Sequence, residues 1–168
     1  MRTLIEHNEI VEICKSLGEK LTEKFQGKEP IVACVLKGAC PFHSELIKHI
    51  NLDMKLDYIQ VSSYSGTETT GKLTIKKDLE FDITGQDVII VEDIVDTGIT
   101  LFNLDKYLKE KKQNYITYVT LLDKPSRRKV EFNADLVGKT IDNLFVIGFG
   151  LDLDEKYRNL KDICVYDE

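Results

Sequence analysis

VIIVEDIVDTGITL, residues 88–101, passes from an unbroken apolar run into acids, then a Thr-Gly turn, then apolar residues at helical spacing. Four consecutive Val and Ile at 88–91 suit a strand buried on both faces, as in a parallel sheet covered by helices. That strand spans 87–93 and ends in Glu92-Asp93. Asp96-Thr97-Gly98 makes the turn, and Leu101, Leu104 and Leu108 then share one face of a helix. A strand, a short turn and a helix in this order form half of an α/β unit.

The chemistry of the turn follows from its residue types. The first amides of a helix have no internal partner and attract anions. Gly98 lets the backbone approach a ligand closely, and Thr97 and Thr100 add hydroxyl donors, so the turn suits a terminal phosphate. Glu92 and Asp93 would repel that phosphate unless the ligand also offers hydroxyls or a metal, and an ionised carboxylate accepts hydroxyl protons readily. A sugar phosphate therefore fits better than inorganic phosphate. The plainer alternative is a helix cap beside a solvated strand end.

Outward from this stretch the pattern repeats. Ile10, Cys14, Leu17, Leu21 and Phe25 recur at helical spacing before Gly27, with Glu6 and Glu9 near the positive end of that helix. Ile31 to Leu36 reads as a strand, Lys37-Gly38 as a tight turn, and Phe42 to Ile50 as a helix. Tyr58 to Val61 is a strand. Ser62 to Lys72 is nearly all Ser, Thr, Gly and charge, which predicts a mobile loop. Further strands are expected at Ile116 to Leu122, Leu144 to Ile147 and Ile163 to Tyr166. The fold class is α/β in a single domain, residues 1–168.

Composition narrows the function. The 168 residues are 42% hydrophobic, enough for one core without metals or disulfides. No apolar run is long enough to span a membrane, and MRTLIEHNE lacks the layout of a secretory signal, so a cytoplasmic protein is expected. A net charge of −6 argues against a nucleic-acid partner. Cys14, Cys34, Cys40 and Cys164 have neither zinc nor CxxC spacing and read as reduced thiols.

The run at 88–101 resembles the phosphoribosyl pyrophosphate motif of the type I phosphoribosyltransferases, and the remainder resembles their hypoxanthine-guanine branch. Five segments carry the likeness in order: Leu36-Lys37-Gly38-Ala39; Ser63-Tyr64; 88–101; Leu121-Leu122-Asp123-Lys124; and Phe145-Val146-Ile147-Gly148 running on to Leu151-Asp152 and Tyr157-Arg158. The resemblance implies a central, mostly parallel sheet flanked by helices, with a small hood built from the terminal segments.

The resemblance also implies roles. Glu92 and Asp93 meet the ribose hydroxyls, and with Asp152 they are the residues placed near Mg2+. Asp96, Thr97, Gly98, Ile99 and Thr100 hold the 5-phosphate, Ile99 through its backbone only, since some relatives carry lysine there. Asp96 is the acid near N7 of the purine, either a base or an orienter. Lys37, Gly38 and Arg158 receive pyrophosphate, and the peptide between Lys37 and Gly38 is the one expected to be cis. Lys124 donates to the 6-oxo group, Phe145 stacks on the purine, Val146 reads its edge through the backbone, and Asp152 lies beside base and metal. Ser63 and Tyr64 belong to a lid at about 62–74.

The implied reaction joins hypoxanthine or guanine to the ribose of phosphoribosyl pyrophosphate. An ammonium at Lys124 meets the acceptor O6 well and the amino group of adenine badly. A homodimer or homotetramer is expected, with the region after Lys37 at an interface. A xanthine-preferring enzyme is one alternative. Another is a transcriptional regulator that senses phosphoribosyl pyrophosphate on the same fold, disfavoured by the absence of a basic excess. A dinucleotide site fails for want of a GxGxxG after a strand.

Overall fold

The structure is a computed structural model that describes residues 1–63 and 72–167. In chain order the elements are β1 (Arg2–Ile5), α1 (His7–Lys24), β2 (Ile31–Leu36), α2 (Cys40–Ile47), β3 (Lys55–Ser63), β4 (Leu73–Lys77), β5 (Asp87–Val95), α3 (Ile99–Lys109), β6 (Tyr115–Asp123), a 3-10 turn (Pro125–Arg127), β7 (Leu136–Thr140), β8 (Val146–Ile147) and β9 (Ile163–Val165).

Six strands form the main sheet in the order β4-β3-β2-β5-β6-β7. All neighbours are parallel except β3 and β4. The buried run 88–91 lies in β5, a central strand. Its alternation divides the core: Val88 and Ile90 face Leu101, Leu104 and Leu108 of α3, while Ile89 and Val91 face the layer of α1 and α2. Ile10, Cys14, Leu17 and Leu21 of α1 are buried against that second face. A side chain of this size contributes about 1.5–3 kcal/mol when fully buried. Burial pushes the Cys14 thiol up to about 12, so it behaves as a small apolar residue.

A second sheet, β1-β9-β8, is antiparallel and joins the two ends of the chain. It supplies Val146, Ile163 and Val165 to the same core as α1, and is the small terminal unit expected from the resemblance. Among the described residues no helix is long and apolar enough to cross a membrane.

Three strands escape the hydrophobic pattern. β1 has four residues, too few for a period. β4 is an edge strand whose residues alternate between half-buried and exposed, with polar Thr74 and Lys76 on the open side. β7 carries Gly138 mid-strand, normally a mark against a strand; here a Cβ would stand 2.6 Å from Leu121 O and 2.7 Å from Ile13 Cγ2, so close packing of α1 against the sheet selects glycine. The polar stretch from Ser62 is likewise not wholly a loop. Ser62 and Ser63 pair with Thr74 and Leu73 in the antiparallel ladder of β3 and β4, because backbone pairing at a sheet edge does not need apolar side chains. Tyr64 lies outside the described residues.

Candidate active site

The carboxyl ends of β2, β5 and β6 meet the turn before α3, the place where open α/β sheets bind ligands. Gly98 is the N-cap of α3 with φ +83°, a left-handed conformation that other residues adopt at a cost, and it provides no side-chain cap. No acid occupies the first turn of α3, so its leading amides keep their anion-binding capacity. Thr97 Oγ1 accepts a bond from the Ile99 amide at 3.4 Å. Ser63 and Thr100 join their hydroxyls at 2.9 Å, tying the end of β3 to the turn. The turn and the end of β5 enclose a cavity of ≈ 220 Å³ lined by Glu92 through Gly98, Thr100 and Leu101.

Glu92 and Asp93 form one wall. Burial first, then repulsion by Asp93, raises the Glu92 carboxyl well above the usual range. Burial also raises Asp93, against bonds from Glu92 and the Ile94 amide and the charge of Arg158. Among the described residues no three His, Cys, Asp or Glu side chains converge as a metal cage. Asp152, the third expected ligand, pairs with Arg158 at 3.2 Å. Two adjacent carboxylates beside a polar cavity, Glu92 buried and Asp93 half-buried, nevertheless fit a divalent ion that arrives on the oxygens of a sugar phosphate, since Mg2+ commonly takes one or two carboxylates plus ligand oxygens.

The turn after β2 comes in from the other side. Its cis peptide is Leu36–Lys37, one residue earlier than the expected Lys37–Gly38 bond. Gly38 is packed so closely that a Cβ there would stand 2.0 Å from Asp93 Oδ2. Arg158 donates to Gly150 O at 2.7 Å and pairs with Glu155 at 3.2 Å, while Lys37 Nζ reaches Glu155 at 3.0 Å. Lys37 and, next, Arg158 pull the Glu155 carboxyl below its ordinary range. Sequence reading missed Glu155 because it sits in a run of charges that looks solvated. Arg158 Nε is buried with no hydrogen-bond partner among the described residues, an orphan donor that suits an anion.

Lys124 closes the site. The residue is 6% exposed, and its Nζ lies 3.7 Å from Asp96 Oδ2. Arg127, which the sequence did not single out, donates from Nε to Asp96 Oδ1 at 2.9 Å. Phe145 is half exposed, its ring in a T-shaped contact with Tyr166 at 6.2 Å between centroids, and Val146 beside it is buried in β8. An exposed aromatic held just before a strand offers ring surface for stacking. A larger cleft of ≈ 630 Å³ lies at the opposite ends of the strands, lined by Lys28, Asp53, Lys55 and Asp87 among others. It lacks a helix start and any expected site residue, so volume does not decide between the two.

Residues 2–154 match the family described as the phosphoribosyl transferase domain. The hypoxanthine-guanine phosphoribosyltransferase of Streptococcus pneumoniae is 48% identical over 168 residues, which is 99% of this chain and 93% of that protein. The enzyme of the same description from Staphylococcus aureus is 48% identical over 158 residues, 94% of this chain and 88% of that protein. Among solved structures, a hypoxanthine phosphoribosyltransferase from Staphylococcus aureus superposes with a TM-score of 0.96 at 45% identity, covering 99% of this chain and 91% of that one. A hypoxanthine-guanine phosphoribosyltransferase from Bacillus anthracis gives a TM-score of 0.96 at 43% identity and 99% coverage of both chains.

Proposed function

The chain belongs to the phosphoribosyltransferase family, and from that premise we propose that it serves purine salvage by transferring the 5-phosphoribosyl group of phosphoribosyl pyrophosphate to N9 of hypoxanthine or guanine. The products are IMP or GMP and pyrophosphate. The observation that carries this reading is Lys124, a nearly buried ammonium 3.7 Å from Asp96 at the rim of the phosphate cavity. A buried cation is costly unless something accepts its protons, and the O6 of a 6-oxopurine is such an acceptor.

In this reading the α3 turn, from Asp96 through Thr100, takes the 5-phosphate, and Glu92 and Asp93 take the ribose hydroxyls. Mg2+ would be held near Glu92 and Asp93, with Asp152 in the surrounding loop, and would neutralise charge on the departing pyrophosphate. Lys37, the Gly38 backbone and Arg158 receive that pyrophosphate; the orphan Nε of Arg158 supports this. Phe145 stacks on the base, the Val146 backbone reads its edge, and Asp96 faces N7. Ser63, bonded to Thr100, links the expected lid to the phosphate turn. Most of the catalysis is then positioning and electrostatics at a ribose carbon that gains positive charge.

The whole chain acts as one catalytic unit, and self-association through the region after Lys37 has a suitable surface. Leu56 and Tyr58 of β3 are 37% and 36% exposed, and Tyr58 packs its ring against His43 of α2. Equilibrium sedimentation of the purified protein should give a dimer or a tetramer.

The test is turnover with phosphoribosyl pyrophosphate and magnesium, offering hypoxanthine, guanine, xanthine and adenine in parallel. Hypoxanthine and guanine should turn over and adenine should not. Asp96→Asn should lower kcat about 10²-fold or more. Lys124→Ala should lower kcat/KM for hypoxanthine by a factor on the order of 10², as expected when a hydrogen-bonding partner is removed from a buried site. No turnover with any base would sink the proposal.

A further inference from the structure

Arg128 sits in the run Lys124-Pro125-Ser126-Arg127-Arg128-Lys129, which reads as surface charge. Its side chain, however, is only 12% exposed. Five acceptors surround the guanidinium. Nε donates to Phe132 O at 2.7 Å. One terminal nitrogen donates to Val95 O at 3.3 Å and to Asp96 O at 2.9 Å. The other donates to Asp123 Oδ1 at 2.6 Å and to Asn133 Oδ1 at 3.3 Å. A guanidinium has five N–H donors, so these bonds match its donor capacity and leave nothing for a ligand.

The acceptors identify what is being held. Val95 and Asp96 end β5 and begin the phosphate turn; Asp123 ends β6 and precedes Lys124. The ladder between the two strands stops at the pair Val95 and Asp123. Beyond that pair the chains turn apart, one toward α3 and the other into the 3-10 turn. Lys124 donates its amide to Val95 O at 2.9 Å, so this carbonyl is shared by Lys124 and Arg128. The aliphatic stem of Arg128 also fills the space beside Gly98, where a Cβ would stand 2.9 Å from Arg128 Cδ. Arg127 differs in kind: it is 44% exposed and touches the Asp96 carboxylate rather than the backbone.

We propose that Arg128 is a positioning residue that sets the spacing between the phosphate-binding turn and Lys124, by splinting the two strand ends where their ladder stops. The proposal rests on the reading of the site given above. IMP must bridge the two groups, its phosphate on the turn and its O6 at Lys124, whereas ribose 5-phosphate occupies the turn alone. Lysine cannot replace the splint, because an ammonium has three donors around a point and no planar fork.

Titration calorimetry with IMP and with ribose 5-phosphate separates this role from simple support of the fold, since an unfolded fraction lowers the stoichiometry and not the Kd. Arg128→Lys should weaken IMP about 10-fold or more while weakening ribose 5-phosphate less than about 3-fold, because loss of alignment penalises the ligand that must meet both groups. An equal loss for both ligands, or no loss for either, overturns the proposal. If Arg128→Lys does not fold, Asp123→Asn, which removes one arm of the splint, is read by the same comparison. Failure of the unmodified protein to bind either ligand overturns the functional reading beneath the proposal and is distinct from a variant result.

Discussion

Glu92 is 9% exposed and shares its surroundings with Asp93, so the fold carries two acids whose ionisation it opposes. For an acid raised in the folded state, the proton favours folding. That stability is fully present below the unfolded value near 4.5 and is lost as pH rises through the raised folded value. At neutral pH the pair therefore costs stability. Glu92→Gln should stabilise the protein by about 1 kcal/mol at pH 7 while lowering turnover, as expected where function and stability conflict. Thermal unfolding across pH checks the sign: the advantage of the variant should shrink as pH falls toward 4.5. An advantage that persisted unchanged there would show that ionisation is not its source.

At the scale of elements, the start of α3 depends on Gly98. Its φ of +83° strains any residue with a Cβ, and that Cβ would also meet Arg128 Cδ at 2.9 Å. Gly98→Ala should cost about 1–2 kcal/mol in denaturant unfolding and weaken ribose 5-phosphate, because the same turn presents the helix amides. In β6, Thr117 is fully buried and its hydroxyl has no hydrogen-bond partner among the described residues. An unpaired buried hydroxyl costs about 1–3 kcal/mol, so Thr117→Val should raise the unfolding midpoint; a lowered midpoint would mean that the hydroxyl is satisfied in solution.

At the scale of the whole molecule, the two ends of the chain meet in one small sheet. β9 is the middle strand between β1 and β8 and carries Ile163 and Val165 into the core shared with α1. Tyr166 follows it, donates its amide to Phe145 O at 2.9 Å and packs against the Phe145 ring. A chain ending at Asp162 should lose guanine binding in a fluorescence titration, because Phe145 loses both its backbone tie and its edge partner. Retained binding at unchanged affinity would show that the terminal sheet does not hold the base platform.

The sequence by itself determined the central strand, the turn and the helix at 88–109, since an unbroken apolar run and a glycine turn are local signals with few alternatives. It also singled out the acids and the Thr-Gly turn that line the cavity at the end of β5, because they lie in one short motif at a strand end. Tertiary structure alone decided the rest. β7 hides behind Gly138, whose reason is contact with Ile13, more than a hundred residues away. Glu155, Arg127 and Arg128 look like solvated charge until the fold brings Lys37, Asp96 and Asp123 to them. Such residues leave no local pattern: their energies come from partners that only chain folding makes neighbours, and hydrogen-bond geometry is not written in residue type.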